Sequence, residues 1–280
     1  MKKFNPKAMY TIAKKEFLDN IRNKWIILLT ILFVLIIVVF SYAAGSGETF
    51  GNMENTVFGL LGISSILIPL IAIMLGFSTI SGEAESGALY VVLSYPVRRV
   101  EVLLGKLLGL GSVIIISIII GFGLGGVVIA LTVGPESWVG YIAFIFLSIF
   151  LGFIYLSLSI CISAFCKRRI TSIGGGLLVF FWSMIYGTIV TAIFFATGGS
   201  IEDLLAGIIP DWFYNSVVFS PSDLYQTTVQ RAFGDNTIEA MGFSVTIPEF
   251  LSSINLIIFL IIWFLVPLVL AYYFFKRRDI

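Results

Sequence analysis

Residue types that carry most enzyme chemistry are scarce in this 280-residue sequence. It contains no histidine, the commonest general base and the commonest metal ligand, so hydrolytic centres and zinc sites built on imidazole are excluded. The two cysteines, Cys161 and Cys166, are five residues apart on one predicted helix. With 3.6 residues per turn they point about 140° apart. We therefore expect two free, buried thiols rather than a disulfide.

Two glycine motifs resemble nucleotide-binding loops but lack the necessary context. Gly121, Gly123 and Gly126 match the spacing of a dinucleotide-binding loop, yet no strand precedes them and they lie in a 29-residue run without charge. The pair Gly105-Lys106 lacks the remainder of a phosphate-binding loop. The sequence thus predicts that this chain has no ATPase motif of its own. The spacing of Gly121 and Gly125 instead predicts a close contact between helices, and Gly174, Gly175 and Gly176 suggest another.

The elements that must position any functional group are membrane helices. The sequence is 59% hydrophobic and 12% charged with a mean hydropathy of +1.05, whereas an average soluble domain is about 25% charged. Six stretches of 23 to 32 residues contain no Asp, Glu, Lys or Arg, and each exceeds the about 20 residues that cross a hydrocarbon core. We predict six spanning helices with cores at 26–44, 57–80, 107–133, 139–165, 172–197 and 251–275.

The charges outside these cores are sorted by sign. Sixteen of the 17 Lys and Arg residues lie in alternate connecting segments, namely 1–25, 81–106, 166–171 and 276–280. The opposite segments hold ten acidic residues and a single basic one, Arg231. By the positive-inside rule, both termini and the 81–106 loop face the cytoplasm, as expected for a multi-pass protein of the cell membrane.

Residues 1–25 predict an amphipathic helix before the first span. Asn5-Pro6 is typical of an N-cap followed by proline in the first turn. Apolar residues then recur at three- and four-residue spacing between lysines, which suits a helix in the cytoplasmic lipid interface. The residues expected to contact lipid are Tyr10, Phe17, Ile21 and Trp25. One alternative is a basic tail that only sets topology. Another is a cleaved signal peptide, but the 25 residues before the apolar core look structured, which argues against it.

The six cores contain no Asp, Glu, Lys or Arg, although ion-coupled carriers commonly place such a residue at membrane depth. Their polar residues are serines, threonines and Asn255, which more often join helices than bind substrate. Pro69 and Pro267 could break two helices, so an ion-coupled secondary transporter with broken helices stays open as an alternative. A non-transporting membrane scaffold is a further alternative.

The cytoplasmic segment 81–106 carries a second ordered pattern. Ser81 can cap a short helix, and Tyr95-Pro96 would end it. Glu83 and Glu85 lie in its first turn, near the positive end of the helix dipole. Its apolar face consists of Leu89, Val92 and Leu93. The segment itself offers no apolar surface for this face to pack against. Such a helix either docks against a partner protein or lies on lipid.

The same segment contains a series of short motifs between Gly82 and Lys106. They are Glu83, Glu85, Ser86-Gly87, Leu89, Leu93-Ser94-Tyr95-Pro96-Val97-Arg98-Arg99 and Gly105-Lys106. This series resembles the cytoplasmic loop of ABC transporter permeases of the type-2 exporter superfamily, apart from Ala88, where the family more often has Thr or Ser. The six spans, the interfacial helix and the cytoplasmic termini are similar as well. Within the superfamily the chain most resembles permeases of the copper-enzyme maturation group, named for nitrous-oxide reductase.

The resemblance implies an all-α integral membrane protein that is not itself an enzyme. A separate cytosolic ABC ATPase subunit would bind ATP and Mg, and two permease copies, or a pair with a related chain, would line an export path. The residues implied to couple to the ATPase are Glu83, Glu85, Gly87, Leu89, Tyr90, Leu93, Pro96, Arg98 and Arg99. We expect no cofactor, metal or nucleic acid on this chain.

The 53 residues from 198 to 250 form a long extracytoplasmic segment before the sixth span. Ser222 can cap a helix in this segment, and Gly234 can end it. Residues 219–225 are similar to a segment between the last two helices of copper-maturation permeases. We expect a re-entrant or interfacial helix that closes the outer end of the path, with a docking site for an extracytoplasmic partner as the alternative. The residues concerned are Trp212, Phe213, Pro221, Asp223 and Tyr225.

Overall fold

The computed structural model describes residues 4–46, 53–132, 134, 138–205, 209–233, 237–240, 243–246 and 249–278. In chain order their helices are α1 (Pro6–Ile21), α2 (Lys24–Ser46), α3 (Met53–Gly76), α4 (Ser81–Glu85), α5 (Ala88–Ser94), α6 (Arg99–Thr132), α7 (Trp138–Phe165), α8 (Arg169–Ala196), α9 (Ile201–Leu205), α10 (Asp211–Asn215), α11 (Pro221–Ala232) and α12 (Ser253–Arg277). Short 3-10 turns cover Ser216–Phe219 and Glu249–Leu251.

Six of these helices, α2, α3, α6, α7, α8 and α12, are long and apolar enough to cross a membrane. The six predicted spans are therefore confirmed. The third span is longer than predicted, because α6 begins at Arg99 and its first two turns take up residues assigned to the cytoplasmic loop. Lys106 thus lies on a spanning helix.

The segment from 198 to 250 contains the one departure from an all-helical fold within the described residues. The strands β1 (Thr237–Ala240) and β2 (Phe243–Thr246) pair antiparallel, with Thr237 opposite Thr246. The sequence analysis did not predict this hairpin. The predicted helix stop at Gly234 falls outside the described residues.

The centre of the bundle is formed by α3, α6 and α7. Half of the most apolar stretch of each of these helices is buried, against 17–22% in α2, α8 and α12. The three outer helices therefore turn long apolar faces away from the chain, as expected for helices surrounded by lipid or by another membrane subunit.

Glycines on α6 allow α2 to approach closely. A Cβ on Gly121 would lie 2.5 Å from the ring of Phe33, and one on Gly125 would lie 2.9 Å from the Ile37 side chain. Contacts this short leave no room for a methyl group, so the predicted helix contact is confirmed.

The remaining predictions on the spans concern prolines and cysteines. Pro69 and Pro267 lie inside α3 and α12, and neither helix is interrupted. Cys161 and Cys166 are free, as expected, but both are only partly buried, so the predicted full burial is wrong.

Candidate functional site

The short helices α4 and α5 are separated by Gly87, which has a φ of +80°. A residue with a Cβ is strained in this conformation, so the glycine allows the chain to turn between two short helices. The prediction of one helix capped by Ser81 is wrong. Instead, the backbone N–H groups of Ile80 and Ser81 each donate to Ser163 Oγ on α7, at 3.0 Å.

The apolar face of α5 packs against the chain itself. Leu89 is fully buried, and Val92 and Leu93 pack against the same core. The expectation that this face is uncovered is therefore wrong. The opposite face is free of such packing: Tyr90, Val91 and Tyr95 are 55%, 62% and 62% exposed, and Pro96 is exposed after them. We call these four residues the α5 surface.

A buried ion cluster joins α1, α4 and α6. Lys106 Nζ lies 2.8 Å from Glu16 Oε1 and 2.8 Å from Glu83 Oε1, and the lysine is 1% exposed. Lys15 lies at the rim, 3.7 Å from Glu83 Oε1. Buried charges are costly unless they are paired and hydrogen-bonded, so the cluster holds the three helices together. Glu83, predicted to face a partner protein, is bound within the chain.

Two other charged residues of the predicted coupling element bind helix ends. Glu85 Oε2 accepts a 2.8 Å hydrogen bond from the backbone N–H of Arg169, the first residue of α8. Arg99 donates from one guanidinium nitrogen to carbonyl groups at the end of α12, those of Phe275, Lys276 and Arg278. A carboxylate at a helix N-terminus and a guanidinium at a C-terminus both complement the helix dipole.

Glu101 connects the start of α6 to the start of α1. Its carboxylate is fully buried and accepts from the backbone N–H groups of Asn5, at 2.6 Å, and Arg98, at 2.8 Å. The predicted N-cap is confirmed, since Asn5 Oδ1 accepts from the Lys7 and Ala8 N–H groups. The first turn of α1 is thus fixed on the N-terminal end of α6.

The remainder of α1 lies directly against α6. A Cβ on Gly109 would lie 2.5 Å from the Ala13 carbonyl oxygen, and one on Gly105 would lie 2.9 Å from the Met9 carbonyl oxygen. These glycines, four residues apart, let the two backbones touch. Contact between the helices brings Glu16 to Lys106.

The four residues predicted to contact lipid do not share one environment. Tyr10, Ile21 and Trp25 are exposed, whereas Phe17 is partly buried and packs against the core. The first three are free to reach a lipid interface, and the fourth holds α1 on the bundle.

The predicted outer helix is α11, which is inserted into the bundle between spanning helices. Its N-cap is Ser220 and its first residue is Pro221, so the predicted cap at Ser222 is wrong. Pro221 and Tyr225 are buried, and Ser222 Oγ lies 3.5 Å from the carbonyl oxygen of Ser65, midway along α3. Within the described residues, α11 therefore lies among the spanning helices rather than on the surface of the bundle.

A cluster of hydroxyl groups joins α11 to α7 and α8. Tyr155 OH donates to Ser183 Oγ at 2.6 Å and lies 2.9 Å from Ser222 Oγ, and the two serine oxygens are 2.7 Å apart. Tyr225 OH lies 2.7 Å from Ser148 Oγ. In the part of the chain that the structure describes, no three carboxylate or thiol groups lie close enough to hold a metal ion.

Phe213, one of the three aromatic residues of α10, lies near the C-terminal end of α8. The Phe213 ring packs edge-on against Phe194, with centroids 5.5 Å apart, and Trp212 is exposed. Of the five residues predicted for an outer gate or docking site, Trp212 is the most accessible, while Pro221 and Tyr225 lie inside the bundle.

The sequence analysis missed the residues that hold these regions together, Glu16, Lys106, Tyr155, Ser163 and Ser183. One signal was available for the ion cluster. Glu16 follows Ala13 by three residues and so shares the apolar face of α1, where a single acid needs a partner. The serines and the tyrosine carry no such signal, because similar residues occur throughout the spans.

Comparisons with known proteins give one family and two relatives. The family model ABC-2 family transporter protein matches residues 10–280. The chain is 30% identical to the probable ABC transporter permease protein NosY of Stutzerimonas stutzeri over 284 residues, which covers 96% of this chain and 98% of the relative. It is 31% identical to the protein of the same name from Pseudomonas aeruginosa over 284 residues, which covers 98% and 99%. The similarity extends over nearly the whole length of each chain.

Proposed function

Because the chain belongs to the ABC-2 family of transporter proteins and is similar to two probable ABC transporter permease proteins, we propose that it is a permease subunit. It would export a substrate across the cell membrane with energy from a separate ATPase. The ATPase would be a cytosolic subunit that binds ATP and Mg. A second permease copy, or a related chain, would complete the path. Both termini and the α5 surface would then face the cytoplasm.

The observation that carries this proposal is the α5 surface. Tyrosine and apolar side chains are exposed there on a helix whose other face is buried, and such aromatic-rich patches are typical of protein interfaces. The resemblance of this segment to the coupling loop of type-2 exporters agrees with its use as an ATPase contact.

The supports of α4 and α5 suggest how movement of the ATPase would reach the membrane. Glu83 connects them to α6 and α1 through Lys106, Glu85 connects them to α8, and Ser163 connects them to α7. A displacement of the α5 surface would therefore act on three spanning helices together. In this proposal the charged residues inside the chain connect α4 and α5 to the spanning helices, and the exposed uncharged residues of the α5 surface contact the ATPase.

We expect Val91→Asp and Tyr90→Asp to reduce the amount of ATPase subunit that co-purifies with the permease at least about tenfold, since a central interface residue contributes about 2 kcal/mol or more. ATP hydrolysis by the purified material should fall in parallel. The measurement is mass spectrometry of the complex from native membranes, with quantification of the subunit that carries a phosphate-binding loop.

Val139→Asp is the matched control, because Val139 is an exposed valine at the opposite end of the bundle. It should leave the complex intact. Leu89→Asp should differ from the interface variants and from the control, because Leu89 is buried. It should lower the yield of folded permease. Full retention of the ATPase by the Val91 and Tyr90 variants would contradict the proposal.

A further inference from the structure

Asp223 is an ionisable residue at membrane depth, although it belongs to none of the six spans. It lies in the first turn of α11, which contacts the middle of α3, α7 and α8 through Ser65, Tyr155 and Ser183. Its Oδ2 is buried and has no hydrogen-bond partner among the described residues. A carboxylate oxygen in this situation is unsatisfied.

The other carboxylate oxygen, Oδ1, lies beside Gly187 of α8, where the absence of a side chain leaves a gap on the helix surface. A Cβ on Gly187 would be 3.9 Å from Asp223 Oδ1, and Gly187 is exposed. Gly187 itself places no side chain between the carboxylate and the outside of the chain. Thr191 lies one turn further along α8 on the same side, and its hydroxyl donates to the Gly187 carbonyl oxygen.

An ionised Asp223 would be only partly balanced by its surroundings at this gap. The N-terminus of α11 contributes about half a positive charge and stabilises an ionised carboxylate, which carries a full negative charge. Charged residues at membrane depth face the interior of a bundle or a water-filled cavity, because exposure to hydrocarbon is costly. The Gly187 gap therefore favours contact with water over contact with lipid.

We propose that the α8–α11 contact at Gly187 borders a hydrated transport path, and that Asp223 gives this path a preference for positively charged groups. The substrate then carries a cationic group that passes or binds at Asp223. The substrate class rests on the proposed function, whereas hydration and charge preference are properties of the chain alone.

Thiol labelling tests both properties. In a Cys161→Ala, Cys166→Ala background, Gly187→Cys places a reporter beside Asp223, and Thr191→Cys supplies a second reporter if the first variant fails to fold. Membranes holding the full complex are treated with a cationic (trimethylammonium) and an anionic (sulfonate) methanethiosulfonate. We expect both reagents to react at these positions. When the rate of each reagent is divided by its rate with free cysteine, the cationic reagent should be about tenfold or more faster than the anionic one. Asp223→Asn should abolish this preference.

Ile185→Cys is the control on the same helix. Ile185 is exposed two residues before Gly187, on the opposite side of α8. Its labelling rates should not change with Asp223→Asn.

Two results would overturn the proposal. One is failure of both reporters to react with the charged reagents while the membrane-permeant N-ethylmaleimide labels them. The other is reaction without a charge preference that depends on Asp223. Labelling requires neither ATP nor hydrolysis, so its failure is distinguishable from a failure of the ATPase to associate with the α5 surface.

Discussion

Replacing Lys106 by methionine is expected to destabilise the folded permease by about 3–5 kcal/mol, the usual effect of removing one partner from a buried ion pair. The side chain fits in volume, but Glu16 and Glu83 would face each other without the ammonium group that lies 2.8 Å from each. The measurement is the thermal unfolding midpoint in detergent, together with the yield of monodisperse protein.

Lys15→Met is the matched control for this change. Lys15 belongs to the same cluster, but its side chain is 56% exposed and its distances to carboxylate oxygens are 3.7 Å or more. Exposed pairs contribute about 1 kcal/mol at most, so this variant should unfold close to the parent. Adding Glu16→Gln and Glu83→Gln to Lys106→Met should recover most of the loss, because no buried charge is then unpaired. A Lys106→Met protein as stable as the Lys15→Met protein would show that the cluster does not hold the helices.

Gly109→Ala should separate α1 from α6 and lower stability by about 1–3 kcal/mol, because overpacking in a tight contact displaces the backbone. The new methyl group would lie 2.5 Å from the Ala13 carbonyl oxygen and 2.7 Å from Glu16 Cβ. Neither is the far end of a flexible side chain, so relief requires a shift of the whole of α1. The Glu16–Lys106 distance would lengthen with that shift. Hydrogen exchange of α1 amides and the unfolding midpoint are the measurements.

Gly123→Ala makes the identical substitution on the same helix, where a Cβ would have no atom within 4 Å. It should leave stability within about 1 kcal/mol of the parent, in the stabilising direction, since alanine is the better helix former. Equal behaviour of the two variants would argue that α1 is not packed on α6 as described.

The spans could be predicted from sequence because each depends on a local property, the absence of charge over more than 20 residues. The start of α1 is local in the same sense, since Asn5 and Pro6 act on the turn that follows them. The break at Gly87 was locally encoded as well, but a glycine within a short helical pattern does not distinguish a turn from a tolerated interruption.

The arrangement of the charged residues could not be predicted in this way. Lys106 was assigned to a loop, and its two partners lie 90 and 23 positions earlier in the chain. Glu83 and Leu89 fit a docking helix equally well whether their partners belong to the same chain or to another. Asp223 was counted with the outer acids, and only the packing of α11 places its neighbour Ser222 beside Ser65 and Ser183 and Asp223 itself near Gly187. Such pairings are tertiary properties and leave no periodic pattern.

The insertion of α11 into the bundle has a consequence for the order of biosynthesis. Its 12 residues rise about 18 Å, well short of the about 30 Å hydrocarbon core, so the insertion machinery has no span to recognise. Ser222 and Tyr225 would be unpaired in hydrocarbon without the hydroxyl groups of Ser148, Tyr155 and Ser183. We therefore expect α3, α7 and α8 to form a niche before α11 enters it, which makes this entry a late step in the maturation of the protein.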